Sequence, residues 1–232
     1  MASLDSILTR QALGKGIVRQ VTNDLAVGLR LRYIGTGTVT SVTATQATSV
    51  VLVTSDGGTD TYLFSSYATL GALSDAINAD AIFESIVVDA LRSEDPDDFF
   101  VDGAVVSSTD LDGITVWDLI IDTSAAATFS CLLSPTKPRF DQPEGHRVSL
   151  TSILYYVDNT AAIDGLTVWQ RNGTVESELF HMLNVDVSET EVDFANGQGE
   201  VTADIDTELI VQIDGTVANH ASNSIRLTGK YE

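Results

Sequence analysis

The chain is poor in the residues that anchor metal and redox chemistry. Its 232 residues include one cysteine, Cys131, which excludes an intrachain disulfide framework and a cysteine-based zinc site and leaves no haem or iron–sulfur pattern to be written. The three histidines, His146, His181 and His220, lie far apart and follow no metal-ligand spacing. Long hydrophobic runs are missing too: nowhere do about 18 uncharged apolar residues follow one another. The opening Met-Ala-Ser-Leu-Asp-Ser carries no apolar stretch of signal-peptide length. The expectation is a soluble protein made in the cytoplasm that leaves it only as part of something larger. Cations are scarce, with 12 Lys and Arg against 33 Asp and Glu for a net charge of −21. Phosphate recognition starts from a basic surface, so this balance argues against a nucleic-acid-binding body.

The few cations are unevenly placed. Residues 1–35 hold Arg10, Lys15, Arg19, Arg30 and Arg32 against Asp5 and Asp24, a local +3, and the other 197 residues carry −24. One reading of this start is a solvated tail. The other is an arm that docks on an acidic neighbour, a second copy of this chain included, with Leu4, Ile7, Leu8, Leu13, Ile17 and Val18 adding apolar contact. On the second reading the five cations are the electrostatic part of a partner-docking segment.

There is ample material for a core: 44% of residues are hydrophobic, with two Trp, six Tyr and eight Phe. The length suits one large β domain or two of about 100 residues. Val27 to Ile34 alternates apolar residues with Gly or Arg, the period of a half-buried strand. Thr38 to Ala44 and Ser49 to Thr54 are Thr- and Val-rich strands, and Asp56-Gly-Gly-Thr59 turns the chain into Asp60 to Phe64 as a hairpin. One helix interrupts them, because Thr69 to Asn78 places Leu70, Leu73 and Ile77 on one face with Thr69 as cap. Gly71 weakens that helix, which needs a sheet to pack against. Ile82 to Leu91, Phe99 to Val106 and Ile114 to Ile121 read as further strands.

Three of the four prolines fall between Ser134 and Gly145 and break every period around them, as a linker does. Beyond it, Val148 to Val157, Leu166 to Arg171, Glu178 to Val185, Thr190 to Phe194, Leu209 to Ile213 and Ser224 to Tyr231 are short strands separated by Gly, Asn and Asp. The fold expected is mainly β: a basic arm and lead-in strand (1–35), a small β-rich α+β domain (36–134), a Pro-rich linker (135–147) and an antiparallel, jelly-roll-like β-sandwich (148–232). Asp112 to Trp117 and Asp164 to Trp169 differ only at Ile114 and Leu166. Their flanks match poorly, so they read as two independent turn-then-strand solutions, with duplication as the alternative, and each Trp reads as core.

Motifs of catalysis are not found. No Walker loop, Gly-x-Ser-x-Gly elbow, His-Glu-x-x-His or Gly-x-Gly-x-x-Gly can be located, and Gly35-Thr-Gly37 and Gly197-Gln-Gly199 read as turns. His181, between Phe180 and Met182, reads as a hydrogen-bonded structural histidine, and no local signature supports Cys131 and His146 as a nucleophile and base. Glu94-Asp95-Pro-Asp97-Asp98, Asp110-Leu-Asp112 and Asp204-Ile-Asp206 offer the oxygen ligands calcium prefers, yet none has a full calcium-loop register, and they read as solvated loop acids. No enzyme, metal or cofactor is expected.

Two segments carry a resemblance. Ser49 to Thr54, Tyr62 to Phe64 and Thr69 to Ala79 resemble the strand, strand, helix units of structural proteins of tailed bacteriophages and of some flagellar filament and cap proteins. Leu209 to Asp214 followed by Ser224 to Tyr231 is similar to the last strands of β-sandwich domains on phage heads and tails. The likeness is carried by patterns of residue type. The resemblance implies a virion structural protein of the capsid decoration or cement type, one that binds the major capsid protein lattice and itself, often as a trimer at local threefold positions. It would be made in the host cytoplasm and end on the capsid surface, with no membrane or nucleic acid as partner. A tail-tube, tail-completion or fibre protein and a carbohydrate-binding sandwich are the alternatives.

Overall fold

Apolar and polar residues alternate along most of the chain, and the alternation is realised as antiparallel strands. In this computed structural model the described residues are 16–22, 26–97, 100, 102–105, 107–109, 115–121, 129–133, 147–156, 163–183, 190–194, 201–215 and 224–231. They form two compact units, one of Val27–Ala126 and one in which Met1–Ala26 joins Ala127–Glu232. After β1 (Gly16–Thr22), the first unit holds β2 (Val27–Tyr33), β3 (Val39–Thr45), β4 (Ser49–Thr54), β5 (Gly58–Leu63), the helix α1 (Leu70–Ala79), β6 (Phe83–Val87), β7 (Gly103–Ala104), β8 (Ser107–Thr109) and β9 (Thr115–Ile120). The second continues with β10 (Phe129–Leu133), β11 (Val148–Tyr156), β12 (Ile163–Asn172), β13 (Val175–Leu183), β14 (Thr190–Asp193), β15 (Val201–Thr202), β16 (Glu208–Gly215) and β17 (Ser224–Tyr231). The fold is mainly β, as its sequence led one to expect.

In the first unit the strand orders are β6-β2-β9-β8 and β5-β4-β3-β7. The expected helix forms: Thr69 caps it by accepting from the Ala72 N–H at 3.1 Å, and Leu70, Leu73 and Ile77 are fully buried. Removing each of these side chains from water contributes roughly 1.5–3 kcal/mol. Ser74 fixes the helix to β6, its Oγ lying 3.0 Å from Ser85 Oγ and 3.1 Å from the Ser85 carbonyl. Gly71 has a positive purpose: its N–H donates to the Arg92 carbonyl at 2.8 Å, and a Cβ there would stand 3.0 Å from that same oxygen. The sheet face opposite the arginines of β2 carries Leu29, Leu31, Val87 and Leu119, all buried, with Phe83 edge-on to both Tyr33 and Trp117. Across the other sheet Val42, Ala44, Val50, Leu52 and Tyr62 are buried on one face. The strand expected over Phe99 to Val106 is reduced, among the described residues, to a bridge at Phe100 and the two residues of β7. Asp102, between them, accepts from the Gln46 N–H at 2.5 Å.

The second unit pairs β1-β17-β11-β14, with β15 also on β11, and separately β10-β16-β12-β13. It is a sandwich-like arrangement of antiparallel sheets. Its inner faces are identified by Phe180 of β13 and Phe194 after β14, whose rings meet edge-to-face at 5.4 Å. Leu166, Val168, Val211 and Ile213 on one sheet and Leu150, Ile153, Tyr155, Ile225 and Leu227 on the other are buried there.

Chain organisation departs from the expectation at its start. β1, expected inside a docking arm, is paired with β17 at every position from Gly16 opposite Lys230 to Thr22 opposite Ser224. β2, expected as the arm's lead-in, is an interior strand of the first unit. The physical reason is hydrogen bonding: a seven-residue extended segment beside an open edge satisfies its backbone by joining it. Residues 134–146, which hold most of the Pro-rich linker, lie outside the described residues.

Candidate functional site

Of the five cations expected to act together, three lie among the described residues. Arg10 and Lys15 lie outside the described residues, and Arg19 stands in β1 opposite Leu227. Arg30 and Arg32 are committed within the first unit, for a reason that is one of register. Arg30 of β2 is directly opposite Asp118 of β9, and Arg32 is directly opposite Glu84 of β6. The Arg30 guanidinium donates through Nε to Asp118 Oδ1 at 2.7 Å and through Nη2 to Oδ2 at 2.8 Å. Arg32 donates through Nε to Glu84 Oε2 at 2.7 Å, with a second donation from Nη2. These pairs are about five-sixths buried on the Arg30, Asp118 and Arg32 side chains. Both cations therefore join neighbouring strands within the first unit.

The other singled-out residues are structural where they are described. Gly35-Thr-Gly37 is a turn, as expected, and it is wrapped around Asp56 from the β4–β5 turn. Asp56 Oδ2 accepts from Tyr33 Oη at 2.5 Å and from the Thr36 and Gly37 N–H groups at 2.8 Å each. The Tyr33 hydroxyl, with help from those N–H groups, holds the Asp56 carboxyl well below the usual carboxylate range against the opposing effect of desolvation. Tyr62 likewise donates to Asp80 at the end of α1, and burial, then that carboxylate, pushes its phenol up. His181 is exposed, with Nδ1 3.3 Å from Thr167 Oγ1. Cys131 lies in β10 opposite Val211. His146, His220, Asp98, Asp110 and Asp112 are outside the described residues. Asp95 accepts from the Asp97 N–H, and Asp204 exchanges two 3.0 Å hydrogen bonds with Gln170. Among the described residues no group of three or more His, Cys, Asp and Glu is placed to hold a metal ion.

Two surfaces were not read from the sequence. The first is the outer face of the β5-β4-β3 sheet. With Val42, Ala44, Val50, Leu52 and Tyr62 inward, alternation turns Ser41, Thr43, Thr45, Val51, Val53, Thr59, Thr61 and Leu63 outward. Cross-strand partners Thr43, Val51 and Thr61 run across its middle, and Ser41, Val53 and Thr59 form the next row. None of these residues is charged, in a chain of net charge −21. The legible signal was the absence of any charged residue between Arg32 and Asp56.

The second is the edge at β13, which among the described residues pairs with β12 alone. It leaves the two-residue Gly173-Thr174 turn, where Gly173 at φ 58° occupies the position that a tight hairpin reserves for glycine. Along it Val175 is 66% and Leu179 41% exposed, and Glu178 is exposed between them. Leu179 is the extra residue of a bulge opposite Val168 and Trp169. On the outer side of the same sheet Arg171 is held by Glu176 at 2.8 Å and faces Glu208 at 3.8 Å. Trp169 donates its indole N–H to Gln212 Oε1 at 3.1 Å, so its polar atom is engaged in the sheet. Among the described residues no helix is long and apolar enough to cross a membrane. Comparison with protein-family models and with curated proteins finds no match to the chain.

Proposed function

We propose that this chain is a non-enzymatic structural protein of a tailed-phage virion that decorates the capsid exterior as a cement protein. The supporting observation is the uncharged Ser, Thr and Val face of the β5-β4-β3 sheet in a chain of net charge −21. Docking desolvates whatever is covered, and hydroxyl and aliphatic groups are covered at far lower cost than carboxylates. A strongly acidic protein seated through its uncharged face keeps its charge toward water, where mutual repulsion holds a crowded particle in solution. Many copies on one closed lattice make each contact multivalent, so a small face suffices. The partners are the capsid lattice and other copies of the chain in a homotrimer, and nucleic acid and membrane are not among them.

The test is the mass of the purified full chain by light scattering, followed by cosedimentation with expanded phage shells that lack their own decoration protein. The expected result is three times 24.7 kDa and saturable binding. Replacing the outward Thr43 and Thr61 with Glu should abolish cosedimentation while the circular-dichroism melt stays cooperative. Rings of six or slender rods that ignore the shells would move the protein to the tail, and unchanged binding by the Glu variant would reject the face.

A further inference from the structure

We infer that the surface receiving the β5-β4-β3 face is itself uncharged where the two meet, an aliphatic strip bordered by hydrogen-bonding groups. The inference rests on the docking proposed above and names the chemistry of its partner. Val51 and Val53 stand outward on the central strand β4, flanked by Ser41 and Thr43 of β3 on one side and by Thr59 and Thr61 of β5 on the other. An apolar middle with a polar rim is the anatomy of a small protein interface. Each rim hydroxyl both donates and accepts, so it fits amides and hydroxyls and gives a cation no advantage.

The acids around the face are turned from it. Asp60, between Thr59 and Thr61, points by alternation to the opposite side of β5. Asp56, in the turn after β4, accepts from the Tyr33 hydroxyl and from the Thr36 and Gly37 N–H groups. Asp102, just before β7, accepts from the Gln46 N–H in the turn after β3. A chain of net charge −21 that docked on a basic surface would offer carboxylates to it, and the outward residues of this face include none. Area separates a lattice from a second copy as the occupant. Three strands about 4.8 Å apart, six residues long at about 3.4 Å each, span roughly 300 Å². A standard stable interface covers about 800 Å² on each partner, so one such face is too small to hold two chains as a pair. Three faces carried by one trimer sum to a standard contact with a repeating surface.

Salt dependence in the full chain tests this. Cosedimentation with undecorated expanded shells would be titrated at about 50 mM and about 500 mM sodium chloride. Affinity should hold or rise with salt, because no ion pair is screened and repulsion between neighbouring acidic copies is. Val51→Thr combined with Val53→Thr keeps side-chain shape and strand propensity, and it should weaken binding about tenfold with the circular-dichroism melt still cooperative. A tenfold fall in wild-type affinity at the higher salt, or binding indifferent to the double change, overturns the uncharged contact and leaves docking on the shell standing. A folded wild-type chain that fails to cosediment at either salt concentration overturns both.

Discussion

Asp56 shows how much one side chain can organise. Its carboxylate gathers a phenol and two backbone N–H groups, and these join the β2–β3 connection to the β4–β5 turn. Because those partners favour the charged form, its folded-state pKa is depressed. The sign follows: the stabilisation is fully present above the unfolded carboxylate pKa of about 3.9 and fades as pH falls below it toward the folded value. Asp56→Asn should therefore be less stable than the wild type at pH 7, and the difference should shrink as the pH is lowered below about 4. Urea unfolding at a series of pH values measures it. A difference that is constant with pH would assign the effect to shape and not to charge.

In the first unit β2 is joined to both of its neighbours by matched charges. Register places Arg30 opposite Asp118 and Arg32 opposite Glu84, so each ion pair forms across a ladder with little side-chain searching. Arg30→Ala strands a largely buried carboxylate and should cost about 1–3 kcal/mol. Adding Asp118→Ala should cost less than the sum of the two single changes, with a coupling of about 1 kcal/mol in a double-mutant cycle. Zero coupling would return Arg30 to the pool of cations available to a partner. In the sequence both arginines read as the basic end of an arm, because alternation shows that a side chain leaves one face but not which strand lies beside it. The helix was legible in full, since its cap and its apolar stripe are local features.

The molecule is divided by its long-range pairings more than by its proline-rich stretch. Val27–Ala126 is continuous in sequence, has its own helix and buried core, and, among the described residues, draws no strand from outside itself. Expressed alone it should fold, giving a single cooperative urea transition and dispersed amide resonances. A molten or aggregated product would show that it depends on the rest of the chain. The second unit is not continuous, because β17 is flanked by β1 from the beginning of the chain and β11 from after the stretch outside the described residues. Deleting residues 1–35 would thus remove a strand from each unit, so the arm has to be tested by changes confined to residues 1–15.

Composition and local pattern sufficed for the class of fold, the acid excess, the strand-rich second half and α1, because alternation, turn residues and capping act over a few neighbouring residues. The hairpin at Asp56 to Thr59 was legible for the same reason, though not the carboxylate's ties to Tyr33 and the Gly35-Thr-Gly37 turn. Only the tertiary structure decided that β1 belongs to the last strand, that Arg30 and Arg32 face acids 88 and 52 residues away, and that Ser, Thr and Val side chains share one uncharged face of the β5-β4-β3 sheet. Those outcomes depend on which strands become neighbours, and that is chosen by burial and backbone pairing summed over a whole sheet.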